Sequence, residues 1–246
     1  MMHKAFYPFL FLLVLGFNLS TAVGARGDSL RYELRKASVD SVRFSLYQQL
    51  VYTLLDSSLD AAVPFFVEWV DVALRSKTWS EAGRAEAIWG VAALQSGTLS
   101  DASTHFSRAI RYYDNAGESK GLGRAYNNLG ITLRREGRFK EAFLSFLEAR
   151  KQFQLADDAA GIAMVYNNLA QIYYQYEEYG QALEYFTHYL NYNRAQHKAL
   201  ETANAENNIG ATYYELKDYS HALEHYYRSY DTVSYTHLTL PTIYTV

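Results

Sequence analysis

Apolar residues recur at helical spacing along most of the chain, and the pattern repeats every 40 residues. Within one period, GRAYNNLGITLRREG and FKEAFLSFLEARKQF each carry apolar residues three or four positions apart, with a short break at Gly137 between them. This spacing predicts two helices joined by a turn. A shift of 40 residues aligns Tyr126 with Tyr166 and Phe146 with Phe186. Such self-similarity indicates stacked repeats, each burying its apolar face against a neighbour.

The period divides the chain into segments with defined expected bounds. The first copy has Ala62 and Phe66 in register but is otherwise degenerate, and the last copy is incomplete. The predicted segments are an N-terminal helical stretch at 26–42, a degenerate repeat at 43–82, full repeats at 83–122, 123–162 and 163–202, and a truncated repeat at 203–232.

Small residues recur where two helices of a unit must approach closely, as at Gly130, Ala142 and Ala149. The order aromatic, Leu-Gly, aromatic, then Ala-x3-aromatic-x2-Ala resembles the tetratricopeptide repeat over about 43–232. The period of 40 exceeds the common 34, and the proline that often ends each unit is missing, as in a longer-period subclass that includes repeats of bacterial signalling proteins. The resemblance implies an all-α fold, a right-handed superhelical solenoid of antiparallel helix pairs with a concave ligand-facing wall.

Paired asparagines return in the first helix of three successive units, in YNNLG, YNNLA and ENNIG. At 100° per residue they fall opposite the packing face, so we expect them on the surface rather than in the core. The resemblance places that surface in the concave groove. The predicted groove residues are Arg124, Asn127, Asn128, Ile131, Arg134, Arg135, Asn167, Asn168, Gln171, Tyr174, Gln175, Asn204, Asn207, Asn208 and Tyr214.

Two roles for these asparagines remain open. An amide both donates and accepts, so it can hold the backbone of an extended peptide whatever the peptide's side chains. Alternatively, each asparagine bonds to the neighbouring repeat. The unit at Gly83 differs, because Ala87, Ile88, Val91 and Leu94 form an apolar strip beside Arg84. That strip either receives an apolar ligand side chain or is covered by residues 28–42.

Composition excludes several classes of function. The chain has no cysteine, a formal net charge of −3 and a pI near 6.2, so thiolate chemistry and nucleic-acid binding are not expected. We find no phosphate loop, nucleophile elbow or paired carboxylates, and therefore predict neither catalysis nor a cofactor. His221 and His225 stand four residues apart on a helix, but no third ligand is evident and both are expected to point outward. We predict no metal site.

The N-terminus predicts export. Lys4 precedes an apolar run of about 15 residues, too short to span a membrane, and Val23 and Ala25 suit a signal-peptidase site. We expect a signal peptide at 1–25, a mature start near Arg26 and a periplasmic or other extracytoplasmic location.

The tail differs from the repeats. VSYTHLTLPT resembles a translated sequencing adapter, so 233–246 is interpreted as non-native and the natural protein is expected to continue beyond Thr232. The helix that begins at Tyr219 should end between Asp231 and Tyr235, and 236–246 should not pack. The last repeat should therefore present an uncovered C-terminal end that self-associates.

The sequence therefore favours an exported scaffold that binds a protein or peptide in its groove. The alternative is the extracytoplasmic sensor region of a membrane kinase or transcription regulator, which would contact the membrane only through a missing C-terminal segment. A third class, an enzyme with a repeat-built arm, also needs a catalytic domain in that segment.

Overall fold

The computed structural model describes residues 24–238, and the side chains of residues 24–232. All regular structure in this range is helical, and no strand occurs in it. The helices are α1 (24–36), α2 (Asp40–Leu55), α3 (Leu59–Arg75), α4 (Trp79–Gln95), α5 (Leu99–Ala116), α6 (Ser119–Arg135), α7 (Phe139–Leu155), α8 (Ala159–Gln175), α9 (Tyr179–Ala195), α10 (Ala199–Glu215) and α11 (Tyr219–Leu238). The predicted all-α class is confirmed.

Contacts divide the chain into two compact units, Met1–Gly121 and Leu122–Val246. In the first unit, α1 to α5 surround the fully buried side chains of Leu50, Phe66 and Trp69. In the second, α7 to α11 and most of α6 pack in antiparallel pairs, with Phe146, Phe153 and Leu169 at 0% exposure. Consecutive helices contact each other from α2 to α5 and from α7 to α11, and Gly130 of α6 approaches Phe146 of α7, as stacked pairs require.

The turns explain the period of 40. From α3 to α10, each helix is followed by a residue with positive φ, such as Gly137 (φ 77°) or Glu177 (φ 62°). The next N–H then bonds to a carbonyl five residues back, as Glu178 N does to Tyr173 O at 2.9 Å. This Schellman motif ends a helix within one turn. Helices of 17 residues joined by three-residue turns therefore repeat every 40 positions in the second unit.

The helices begin four residues before the predicted unit starts. Ser119 and Ala159 begin α6 and α8, whereas the sequence placed unit starts at 123 and 163. The predicted helix start at Gly123 is wrong, because α6 begins at Ser119 and Gly123 lies inside it. A Cβ at Gly123 would lie 2.7 Å from Phe153 Cδ1. A glycine stands here because any larger residue would clash with the ring of Phe153, and it does not break the helix.

Small residues opposite aromatic rings build the core of the second unit. A Cβ at Gly130 would lie 2.6 Å from Phe146 Cε1, and Ala142 and Ala149 are fully buried in the same cluster. The predicted close approach at these three residues is confirmed. Because protein interiors are close-packed, neighbouring helices come near enough for the phenylalanine to fill the space.

Residues 28–42 do not form a separate flap. Leu30 and Leu34 of α1 are buried in the core of the first unit, and the Arg31 guanidinium lies 5.4 Å from the ring centroid of Phe65 in α3. The apolar strip of α4 is half-buried, and α2 contacts α4. Ile88 of the strip packs against the same core cluster that contains Leu30 and Leu34.

The C-terminal helix is longer than predicted. It ends at Leu238, three residues beyond the predicted limit of Tyr235. The expected signal peptide, up to residue 23, and residues 239–246 of the predicted tail lie outside the described residues. None of the helices in the described part of the chain combines the length and apolar character needed to cross a bilayer.

Candidate ligand-binding face of α6, α8 and α10

The predicted groove residues lie on the first helices of three successive pairs, α6, α8 and α10, all within the second unit. The exposed members are Arg124, Arg135, Gln175, Asn204, Asn207 and Tyr214. The half-buried members are Asn128, Ile131, Arg134, Asn167, Gln171, Tyr174 and Asn208.

Two of the asparagines are core residues, contrary to the prediction. Asn127 and Asn168 are 6% and 8% exposed, and Asn168 Nδ2 donates to Asn127 Oδ1 at 2.8 Å. An equivalent hydrogen bond joins α8 to α10, where Asn208 Nδ2 donates to Asn167 Oδ1 at 3.3 Å. We call these four residues the amide seam. A single-helix projection could not show that neighbouring first helices meet along this line.

The seam supports the second of the two roles left open, a bond to the neighbouring repeat. Asn127 Nδ2 also donates to Asn128 Oδ1, at 3.4 Å. Buried amides need partners, and these amides find them in one another. The amides that face solvent are Gln175 on α8 and Asn204 and Asn207 on α10.

Tyrosines line the C-terminal ends of α8 and α10. Tyr174 OH donates to Glu215 Oε1 at 3.3 Å, and the Tyr174 ring meets Tyr179 edge to face at 5.6 Å. Burial, and then the Glu215 charge, raise the pKa of Tyr174 above its usual value, so its hydroxyl remains a donor. Tyr214 meets Tyr219 in the same way at 5.5 Å. At this end, the face therefore consists of tyrosine rings next to the carboxylate of Glu215.

The charges on this face are unevenly distributed. Arg124, Arg134 and Arg135 lie on α6, whereas α10 contributes Glu215. Burial, and then the charge of Arg135, lower the pKa of Arg134, and its buried Nε has no hydrogen-bond acceptor among the described residues. A guanidinium in this setting favours an approaching anion, because a carboxylate would supply both charge and acceptors.

His221 and His225 each contact a carboxylate of a different residue, although their spacing of four residues on a helix would suit a pair of metal ligands. His225 does not point outward: its Nδ1 lies 2.6 Å from Oε2 of Glu206, which is 1% exposed and also contacts Arg194. His221 is exposed and lies 2.7 Å from Asp218 Oδ2. Within the described residues no group of three or more His, Asp or Glu suits a metal ion.

Sequence reasoning missed two buried contacts between a glutamate and a histidine. Glu86, which is 3% exposed, lies 2.6 Å from His105 Nδ1 in the first unit, as Glu206 does from His225 in the second. A signal was present in the repeat alignment. Both glutamates occupy the position held by Tyr126 in another unit, and each is followed 19 residues later by its histidine.

Comparison with known families accounts for these helix pairs. Residues 122–195 and 161–233 match the model of the tetratricopeptide repeat. Residues 122–233 are tetratricopeptide repeats. A comparison with curated protein sequences found no significant match.

Solved structures share the tetratricopeptide fold at low sequence identity. BtubC (BKLC) from P. vanneervenii is 18% identical, with a TM-score of 0.81 over 93% of this chain and 96% of that one. A STAND protein with a tetratricopeptide repeat sensor from Pyrococcus horikoshii is 15% identical, with a TM-score of 0.63 over 73% of this chain and 29% of that one. Aspartyl phosphate phosphatase F from Bacillus subtilis is 12% identical, with a TM-score of 0.66 over 82% of this chain and 62% of that one. At these identities the likeness concerns the fold alone.

Proposed function

We propose that the protein is an exported scaffold that binds an extended segment of another protein across α6, α8 and α10. The amide seam carries the proposal. By bonding α6 to α8 and α8 to α10, it holds three helices side by side, so that the polar groups outside the seam form one face. Rigid display of separate donors and acceptors is what recognition of a peptide backbone requires.

The binding groups in this proposal lie outside the seam. Arg124, Gln171, Asn204 and Asn207 present donors and acceptors, and Tyr214 presents an exposed ring that is 56% accessible. Aromatic and arginine side chains commonly anchor protein interfaces: an aromatic ring buries a large area with few rotatable bonds, and a guanidinium offers several hydrogen-bond donors in a fixed plane. The chain acts in this proposal by binding, without catalytic residues, metal or cofactor of its own.

Selection from a random peptide library, with the purified full chain as bait, tests this function. Selected peptides should lose about tenfold or more in affinity against the triple variant Gln171→Ala, Asn204→Ala, Asn207→Ala, at about 1 kcal/mol per lost hydrogen bond. Gln154→Ala with Gln181→Ala, exposed amides on α7 and α9, provides the matched control. Equal affinity for the triple variant and the control, or no selected peptide, would refute the proposal.

Export is part of the proposal and has its own test. N-terminal sequencing of secreted material should begin near Arg26, as the signal-like segment before it predicts. Recovery of the soluble protein from the cytosol with Met1 retained would contradict export.

A second candidate is the sensor region of a membrane signalling protein. The observation in its favour is the likeness to a STAND protein whose structure contains a tetratricopeptide repeat sensor. The genomic reading frame downstream of Thr232 distinguishes the candidates. An apolar run of about 20 residues followed by an output domain supports the sensor, and a stop codon after a polar capping helix supports the free scaffold.

A further inference from the structure

The first unit contains a cavity of about 420 Å³ between α1, α2 and α3. This volume lies within the usual range of small-molecule sites, about 300–1,000 Å³. Arg31 and Arg35 of α1 and Arg43 of α2 line the cavity, and Glu68 of α3 adds one carboxylate to its lining. We call this space the arginine cavity. Its lining brings three positive charges against one negative charge, which favours an anion.

The three arginines retain hydrogen-bond donors for a ligand. Arg31 pairs with Asp28 at 3.0 Å and Arg43 with Asp40 at 3.6 Å, but the two aspartate side chains are 74% and 46% exposed. Such exposed pairs are weak, and a guanidinium has five N–H groups, so each of these arginines keeps donors. Arg35 forms no ion pair among the described residues, and its Nε donates to the Arg31 carbonyl oxygen at 3.4 Å.

Apolar side chains complete the lining of the cavity. Leu34 is buried, and Ala37 and Phe65 are half-buried. The Arg31 guanidinium lies 5.4 Å from the centroid of the Phe65 ring, so a positive charge is held directly beside this apolar wall. A wall of this kind gains by burying apolar groups, which an inorganic anion does not offer. The lining therefore suits a ligand that joins an anionic group to an apolar body.

Tyr47 and Glu68 limit the ligand to one negative charge. Tyr47 is 2% exposed, and its hydroxyl donates to Glu68 Oε2 at 3.4 Å and accepts from Arg43 Nη2 at 3.4 Å. Burial raises the pKa of Tyr47 above its usual value, so the hydroxyl stays protonated and remains a donor. The carboxylate of Glu68 repels a second anionic group on the α3 side of the cavity. The anionic group of a ligand therefore belongs beside α1.

We propose that the arginine cavity binds a small organic monocarboxylate with an apolar body. Arg31 and Arg35 stand one helical turn apart, so a carboxylate between them accepts hydrogen bonds from both guanidinium groups. The apolar body of the ligand packs against Leu34 and Phe65. Residues 1–23 contain neither Asp nor Glu, so that segment of the chain offers no side-chain carboxylate for the cavity. The site lies in the first unit and does not depend on the peptide-binding face of the second.

Ligand-observed NMR titration of the full chain tests the cavity, with hydrocinnamate as the probe at constant ionic strength. The probe should bind with a dissociation constant in the millimolar range or tighter, as expected for a ligand of about 11 non-hydrogen atoms. Its uncharged amide and inorganic phosphate should each bind at least about tenfold more weakly, because the amide lacks the charge and phosphate lacks the apolar body.

Substitutions of opposite sign locate the bound probe. Arg35→Gln should weaken binding of hydrocinnamate at least about tenfold, because a charge-assisted hydrogen bond is lost. Glu68→Gln should strengthen binding severalfold, because a like charge is removed from the lining. The matched control is Arg111→Gln on α5, an exposed arginine of the same unit without an ion pair among the described residues, which should leave the affinity unchanged. Circular dichroism should show unchanged helicity in all three variants.

Four outcomes would overturn the proposal. The first is no binding of hydrocinnamate at about 10 mM, which is above the range expected for a ligand of this size. The second is phosphate or the uncharged amide binding as tightly as the probe. The third is an equal affinity of the Arg35→Gln and Arg111→Gln variants, and the fourth is weaker binding to the Glu68→Gln variant than to the wild type.

Discussion

The bond between Asn127 and Asn168 gives the most direct test of the amide seam. Asn168→Ala removes the donor and leaves the Oδ1 of Asn127 buried without a partner, at a cost of about 1–3 kcal/mol. Alanine returns about 0.7 kcal/mol through its higher helix propensity. We therefore expect the free energy of unfolding to fall by about 0.5–2 kcal/mol, the difference of the two effects.

A double-mutant cycle separates the bond from the residues that form it. Asn127→Ala should cost a similar amount, and the double variant should be less destabilised than the sum, with a coupling of about 1 kcal/mol. The matched control is Asn204→Ala on α10, which removes an exposed helical asparagine. It should raise the free energy of unfolding by up to about 0.7 kcal/mol, because only the propensity change remains.

Urea denaturation followed by circular dichroism at 222 nm measures the free energy of unfolding of the wild type and the four variants. The slope with denaturant should stay constant, so that midpoints report stability. If Asn168→Ala proves as harmless as Asn204→Ala, the seam is not a structural contact. A coupling below about 0.3 kcal/mol would lead to the same conclusion, since independent sites add within that margin. The asparagines would then again be candidates for direct ligand contact.

Four further substitutions probe the fold. Gly130→Ala should lower the free energy of unfolding by about 1–3 kcal/mol, because its Cβ would lie 2.6 Å from a carbon of Phe146; thermal denaturation checks this, and an unchanged Tm would show that the ring has room to move. Glu177 has a φ of 62°, which glycine adopts without strain, so Glu177→Gly should raise the free energy of unfolding by about 1 kcal/mol. Gly137→Ala should lower it by a similar amount for the same reason. Urea denaturation midpoints that shift in the same direction for both variants would refute the argument from positive φ. Glu206→Ala should cost about 3 kcal/mol by leaving its histidine and arginine without their buried carboxylate, and a loss below about 1 kcal/mol in the same titration would contradict that account.

The helix pairs could be predicted from the sequence because both of their determinants are local. Apolar residues three or four positions apart define a helix face, and Gly137 marks a turn. The same spacing recurs in each repeat, so a helix pair that is weakly indicated in one unit is supported by its equivalents in the others. The non-glycine turns at Asp157 and Glu177 carry no such mark. Their positive φ follows from the length of the helices and the Schellman bonds that end them.

Contacts between helices could not be predicted in the same way. Projection of one helix separates a packing face from a free face, but the line where Asn127 meets Asn168 depends on how two first helices lie side by side. The same holds for Glu206 and His225, whose residue types are usual on a surface and which become buried only when α9, α10 and α11 assemble. The sequence by itself determined the period, the helices and the small-against-large core, because spacing along one helix encodes them. The tertiary structure alone decided which polar side chains are buried partners and which remain exposed, because burial is a property of neighbouring helices and not of any one of them.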